Sequence, residues 1–248
     1  MYRASVLGLL IWLGSFAGSW LVAQPSEDST FEMDFPSDPQ RQHVVGTVMR
    51  RDGKWRAYTF AIRVEESSRP MRRGLFHFTS ADFSHREWLR RGTEQRFRPY
   101  NELMEFTFQV LEVDQGHLRA KVTIPGEMPG AWRVLSGPPP ALPPGVLDFN
   151  RVRGEEGIEG PRALKSRIPS YPQAARDASV NGKVILGFIL DEEGHPKPES
   201  IHVARGVGYG LEEAAIEALL NDWKLAPARR NGQPVPMWIN VEFDFNIR

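Results

Sequence analysis

The chain has 248 residues, a formal net charge of +0 from 31 basic and 31 acidic side chains, and 41% apolar and 25% charged residues. That is the composition of a folded protein with room for one large domain or two small ones. The charge balance gives no general attraction to nucleic acid or to an anionic membrane. With no cysteine in the sequence, disulfides, thiolate nucleophiles, thiolate metal sites and a lipid on an N-terminal cysteine are all excluded.

Val6 to Ala23 is an uncharged, mostly apolar stretch preceded by Arg3 and followed by Gln24-Pro25. This is the pattern of a secretory signal cleaved after Ala23. The stretch also reaches the lower length limit for spanning a bilayer, so an uncleaved inner-membrane anchor is the alternative. Both readings put the remainder outside the cytoplasm, because the flanking cation is N-terminal. Residues 24–40, rich in Ser, Asp, Glu and Pro, are expected to be unstructured.

Residues 41–136 read as a β-rich domain of no recognised family. Val44 to Met49 and Trp55 to Val64 flank Arg51-Asp52-Gly53-Lys54, a hairpin signal. Leu75 to Thr79 is a third strand. Met104 to Val113 and Leu118 to Ile124 flank a second hairpin turn, and Ser84 to Arg91 is expected as a short helix. Arginines such as Arg50, Arg56, Arg63, Arg90 and Arg96 interleave with Trp55, Tyr58, Phe60, Phe76 and Phe78. Alternation across a sheet, aromatics inward and arginines outward, explains this better than a nucleic-acid surface. The histidines are scattered without metal-site spacing, and the local group His77, Asp82 and His85 reads as surface. No metal, cofactor or catalytic constellation is expected, and the protein does not read as an enzyme.

Residues 137–167 begin with the proline-rich run Gly137 to Gly145 and read as a linker. Residues 168–248 form the most regular part of the chain. Pro172 to Ala178 is a short helix with proline in its first turn. In Asn181 to Gly194, Val184, Leu186, Phe188 and Leu190 point one way, and Ile185, Gly187 and Ile189 the other. Both faces are apolar, so this is a central strand that needs cover on both sides. Ser200 to Ala204 is a second strand. Leu211, Ala214, Ala215, Ala218 and Leu219 mark one face of a helix over Leu211 to Lys224, with Glu212 and Glu213 in its first turn and Lys224 in its last. Met237 to Ile247 alternates as a half-buried final strand. The predicted class is α+β: a three-stranded antiparallel sheet packed by one main helix, preceded by the β-rich domain.

The ordered set Tyr171-Pro172, Ala175, Gly182-Lys183-Val184, Phe188, Gly194, Leu211 to Ala215, Trp223 to Ala228 and Gly232 to Val235 resembles the C-terminal domain of the TonB family. The resemblance covers about the last third of the chain. It implies a periplasmic module that binds an extended segment of an outer-membrane transporter, or of another envelope protein, by adding it to a sheet edge. The last strand is the candidate edge, with Trp238, Asn240, Glu242 and Asp244 beside the partner. Tyr171 and Pro172 are secondary candidates, more simply explained by local packing. A homodimer through the same edge is the alternative use. Energy transduction from the inner membrane is the second reading. It requires the N-terminal anchor, and no histidine stands between Val6 and Ala23. A third reading gives the middle domain an enzymatic or glycan-binding activity.

Overall fold

A computed structural model describes residues 28–36, 42–68, 73–100, 104–114, 117–126 and 130–247. The signal or anchor segment read at Val6 to Ala23 lies outside them. Among the described residues the first half contains nine strands: β1 (Ser29–Pro36), β2 (Gln42–Arg51), β3 (Lys54–Ser68), β4 (Arg73–Thr79), β5 (Ser84–Arg90), β6 (Glu94–Phe97), β7 (Phe106–Asp114), β8 (His117–Ile124) and β9 (Arg133–Val134). They form two antiparallel sheets, ordered β1-β8-β7-β6 and β5-β4-β3-β2-β9. The β2–β3 hairpin pairs Arg51 with Lys54 across Asp52 and Gly53, both at positive φ (51° and 75°). That is the twist-matching two-residue turn the Asp-Gly pair favours.

Phenylalanines fill the space between the sheets. Phe60 stacks on Phe106 at 4.6 Å, and Phe78 lies 4.3 Å from Phe97. Phe60, Phe76, Phe78, Phe106 and Phe108 are fully buried. This is a β-sandwich with its own core. Two expectations fail here. Residues 24–40 are not wholly unstructured, because β1 pairs with β8 along its length and buries Met33. Ser84 to Arg91 is not a helix: β5 pairs with β4 from Ser84 to Arg90, and Arg73 lies 4.8 Å over the Trp88 ring. Seven residues are too few to separate a helical period from an alternating one, and pairing decides.

The second half contains β10 (Leu147–Asp148), α1 (Phe149–Val152), β11 (Ile158–Glu159), β12 (Arg162–Lys165), α2 (Gln173–Asp177), β13 (Gly182–Leu190), β14 (His202–Arg205), α3 (Leu211–Asp222), β15 (Lys224–Ala226), β16 (Ala228–Arg230), β17 (Gln233–Val235) and β18 (Met237–Phe245). The main sheet runs β10-β18-β13-β14, with β18, β13 and β14 antiparallel and β13 central, as its two apolar faces require. Val184, Leu186, Phe188 and Leu190 are fully buried in one core with Leu211, Ala215 and Leu219 of α3. The helix stops at Asp222, and Lys224 belongs to β15 rather than to the last helical turn. Residues 137–167 are not a free linker. Their short strands pair with the C-terminal half: β10 with β18, β11 with β16, and β12 with β15.

Helix α3 is buried on both sides. Ile216, outside the Leu211–Ala215–Leu219 stripe, is fully buried, as is Glu212. The second face meets the sandwich. Strand β4 pairs with β3 only from Ala61 onward, so among the described residues the backbone of Trp55 to Thr59 has no strand partner on that side. Helix side chains take its place. Glu213 accepts from the Thr59 N–H (2.7 Å), Glu217 from the Ala57 N–H (3.2 Å), and Asn221 from the Trp55 N–H (2.9 Å). Four helical residues advance about 6 Å and two strand residues about 6.6 Å, so one side chain per turn meets every second N–H. The arrangement satisfies an edge that would otherwise be open.

Candidate binding edge

The main sheet has two edges. The β14 edge is tied to the sandwich. Val203 donates to the Leu135 carbonyl (2.7 Å), and Leu135 donates to the Val44 carbonyl (2.7 Å). Arg133 reaches across as well, donating to the carbonyls of Pro198 (2.9 Å) and Ile201 (3.1 Å). Burial pulls its guanidinium pKa down. The other edge is β18. There β10 pairs in parallel at Met237 and Trp238 only, and among the described residues no strand pairs with that side of β18 beyond Trp238.

The predicted contact residues divide between two environments. Asn240, Glu242 and Asp244 are exposed on the face opposite α3. Glu242 accepts from the Lys183 ammonium across the β13–β18 pair (2.6 Å), and Asp244 accepts from the Asn246 amide (2.8 Å). Trp238 shares that face but is only 4% exposed, which corrects the expectation that it stands open beside a partner. Its ring lies over Gly187, where a Cβ would strike the indole and would sit 2.8 Å from the Asn240 side-chain oxygen. Residue 187 is therefore glycine because the indole needs the space. The His202 ring lies 6.3 Å from the same indole. The proline-rich run crosses this face: Pro138, Pro140, Leu142 and Pro144 wall a cleft of about 580 Å³ whose floor includes Ile189, His202 and Trp238. The run thus covers the Ile189 end of β13's second apolar face, while Ile185 stays half-buried.

Tyr171 and Pro172 precede α2, and Tyr171 reaches the far end of β18. Pro172 is the N-cap residue of α2. The Tyr171 hydroxyl donates to the Val180 carbonyl, and its ring meets Phe245 edge-on at 5.8 Å. Tyr171 thereby ties the segment entering β13 to the end of β18, and Pro172 starts α2. Trp223 is also structural, packing 5.0 Å from Phe243 and donating its indole N–H to the Arg167 carbonyl (3.0 Å).

The family model of the Gram-negative bacterial TonB protein C-terminal domain matches residues 167–247. This part of the chain is a TonB C-terminal domain. No curated protein matches the chain, and no family model matches the sandwich. The TonB C-terminal domain is an interaction module rather than a catalytic one. The family suggests a periplasmic domain, and no helix among the described residues is long and apolar enough to cross a membrane. At the turn after β13, Asp191, Glu193 and His195 bring ligand atoms within 4.8 Å of one another. Asp191 there accepts from the N–H groups of Glu193 (3.0 Å) and His195 (2.7 Å), so its position is explained by the turn.

The junction between the TonB C-terminal domain and the sandwich carries buried titratable groups, among them Glu212, Glu213 and His77. Glu212 accepts at one oxygen from the N–H groups of Val207 (2.5 Å) and Gly208 (2.8 Å) and from the Gln42 amide (2.9 Å). Glu213 meets the Thr59 hydroxyl (3.0 Å) and the Tyr100 hydroxyl besides the Thr59 N–H. Burial pushes the Glu213 pKa up to about 8. The Tyr100 hydroxyl donates to the Thr59 carbonyl (2.7 Å), and it has one proton to give. That proton is shared between the Thr59 carbonyl and Glu213, and the burial of the carboxyl is what favours its neutral form. His77 is not a surface residue. It is buried among Glu65, Ser84 and the Tyr209 hydroxyl, and burial with the nearby Arg86 lowers its pKa to about 4. The one sequence signal for this junction was Ile216, an apolar residue outside the predicted helix face.

Proposed function

We propose that this is a periplasmic partner-binding protein whose TonB C-terminal domain takes up an extended segment of an envelope protein along β18. An outer-membrane transporter is the partner class the family implies. The observation that carries the reading is the asymmetry of the sheet. The β14 edge is bonded to the sandwich through Leu135, whereas the side of β18 away from β13 carries, among the described residues, a strand partner only at Met237 and Trp238. An incoming segment would add main-chain hydrogen bonds beyond Trp238, with Asn240, Glu242 and Asp244 as its neighbours. The division into a β-rich unit, a connection and the C-terminal module describes how the sequence is used on this reading: the first two hold the edge in place.

The test is crosslinking in cells from a photoreactive residue at Asn240, with the same residue at Arg205 on the opposite edge as control. Capture of one envelope protein from position 240 and not from 205 supports the reading. Equal capture from both, or a homodimer alone from 240, refutes it.

A further inference from the structure

The edge proposed for the partner already holds a strand from the same chain. Leu147 donates to the Pro236 carbonyl (3.1 Å), and β10 then lies parallel to β18 at Met237 and Trp238. The single turn of α1 follows at once, capped by the Asp148 side chain accepting from the Asn150 N–H (3.0 Å). Before β10 comes the proline run over Trp238. Polyproline segments are stiff over several residues. This one is bracketed by Gly137 (φ 115°) and Gly145 (φ 86°), and nothing lies within 4 Å of where a Cβ would stand at either. These glycines therefore serve the backbone bend, not close packing. Beneath the run is the cleft of about 580 Å³ rather than a filled core. A stiff rod between two glycine bends, resting on a cleft and ending in a strand paired at two positions, is built to lift as a unit.

We propose that residues 137–152 form a displaceable plug that occupies the Trp238 end of the binding edge until a partner strand replaces β10. The inference rests on the binding role proposed above. Because only the unplugged form offers the full edge, apparent affinity is reduced by the fraction of molecules that are open. Loosening the plug therefore tightens partner binding, although it removes contacts from the free protein.

The probe is a fluorescent peptide of residues 143–152, whose sequence matches the resident strand, added to the full chain. Leu147→Pro removes the N–H that anchors β10. Asp148→Ala removes the α1 cap and the Asp148–Arg151 ion pair (3.4 Å) while keeping the β10 backbone N–H groups, and keeps the experiment informative should the proline variant unfold. Fluorescence anisotropy gives affinity, and amide shifts of Met237 to Phe245 locate the peptide. The expected result is binding at β18 that is about fivefold tighter for Asp148→Ala than for the unaltered chain, and tighter still for Leu147→Pro. Equal affinity in all folded chains, with shifts along β18, overturns the plug and leaves the edge as a binding site. Absence of β18 shifts in every folded chain overturns both.

Discussion

Glu213→Gln is the substitution that most directly tests how the two halves are joined. The side chain is 7% exposed and sits against Thr59 and Tyr100 of the sandwich, with its pKa raised from 4.5 to about 8. A carboxyl held neutral in the folded state but ionised in the unfolded chain makes the folded state bind more protons between those two values. Stability therefore falls as pH rises from about 4.5 to about 8 and is level above that. At about 1.4 kcal/mol per pH unit, the full loss is on the order of 5 kcal/mol. His77 works in the opposite sense. Its pKa is lowered from 6.5 to about 4, so stability is lost as pH falls through that window and the group is silent above it. Between pH 6.5 and 8, Glu213 acts without His77. Glutamine mimics the neutral carboxyl in shape and cannot ionise. Urea unfolding at half-unit steps from pH 5 to 9 should give the unaltered chain a declining stability between 6.5 and 8, and the variant a nearly level one. Parallel profiles would show that Glu213 does not carry its proton into the folded state.

Three other substitutions separate scaffold from contact. Asn221→Ala should cost about 1 kcal/mol in urea unfolding and raise amide exchange at Trp55, whose N–H and carbonyl it holds at 2.9 Å each. Gly187→Val drives a side chain into the Trp238 indole and should cost about 1–3 kcal/mol, with altered tryptophan fluorescence as the local readout. Tyr171→Phe removes the hydroxyl bonded to Val180 and should cost about 1 kcal/mol while leaving crosslinking from Asn240 unchanged; loss of that crosslink with the fold intact would make Tyr171 a contact residue.

What the sequence made legible was whatever depends on neighbours along the chain. The alternation of Met237 to Phe245, the two apolar faces of β13 and the Asp52-Gly53 turn each determine their own local structure, and each is observed. Long-range partners were not legible. Thr59 and Glu213 are 154 residues apart, and no periodicity in either segment announces that a strand edge will be satisfied by a helix. The same holds for the proline run. Its composition predicts an extended path, but not that the path crosses Trp238 or delivers Leu147 to the edge of β18. For the candidate site the result was mixed. Asn240, Glu242 and Asp244 lie exposed where alternation put them, whereas the burial of Trp238 depends on a cover from elsewhere in the sequence.

The way α3 is held bears on what kind of partner-binding protein this is. A module tethered by a flexible linker reaches for its partner and carries its edge at any orientation. Here the helix has one face on its own sheet and the other on β3, through Glu213, Glu217 and Asn221, while Leu135 bonds β2 to β14. The sandwich therefore fixes the direction in which β18 faces. The ten residues from Gly137 to Val146 join the two halves and cover Trp238 of the edge at the same time. A partner that displaced this segment from β18 would free the path between the halves without breaking the α3 ladder, since the two contacts lie on opposite faces of the main sheet. The arrangement separates the part that yields on binding from the part that holds the fold. On this reading the sandwich needs no activity of its own to matter: it orients the edge and completes the cover of the helix.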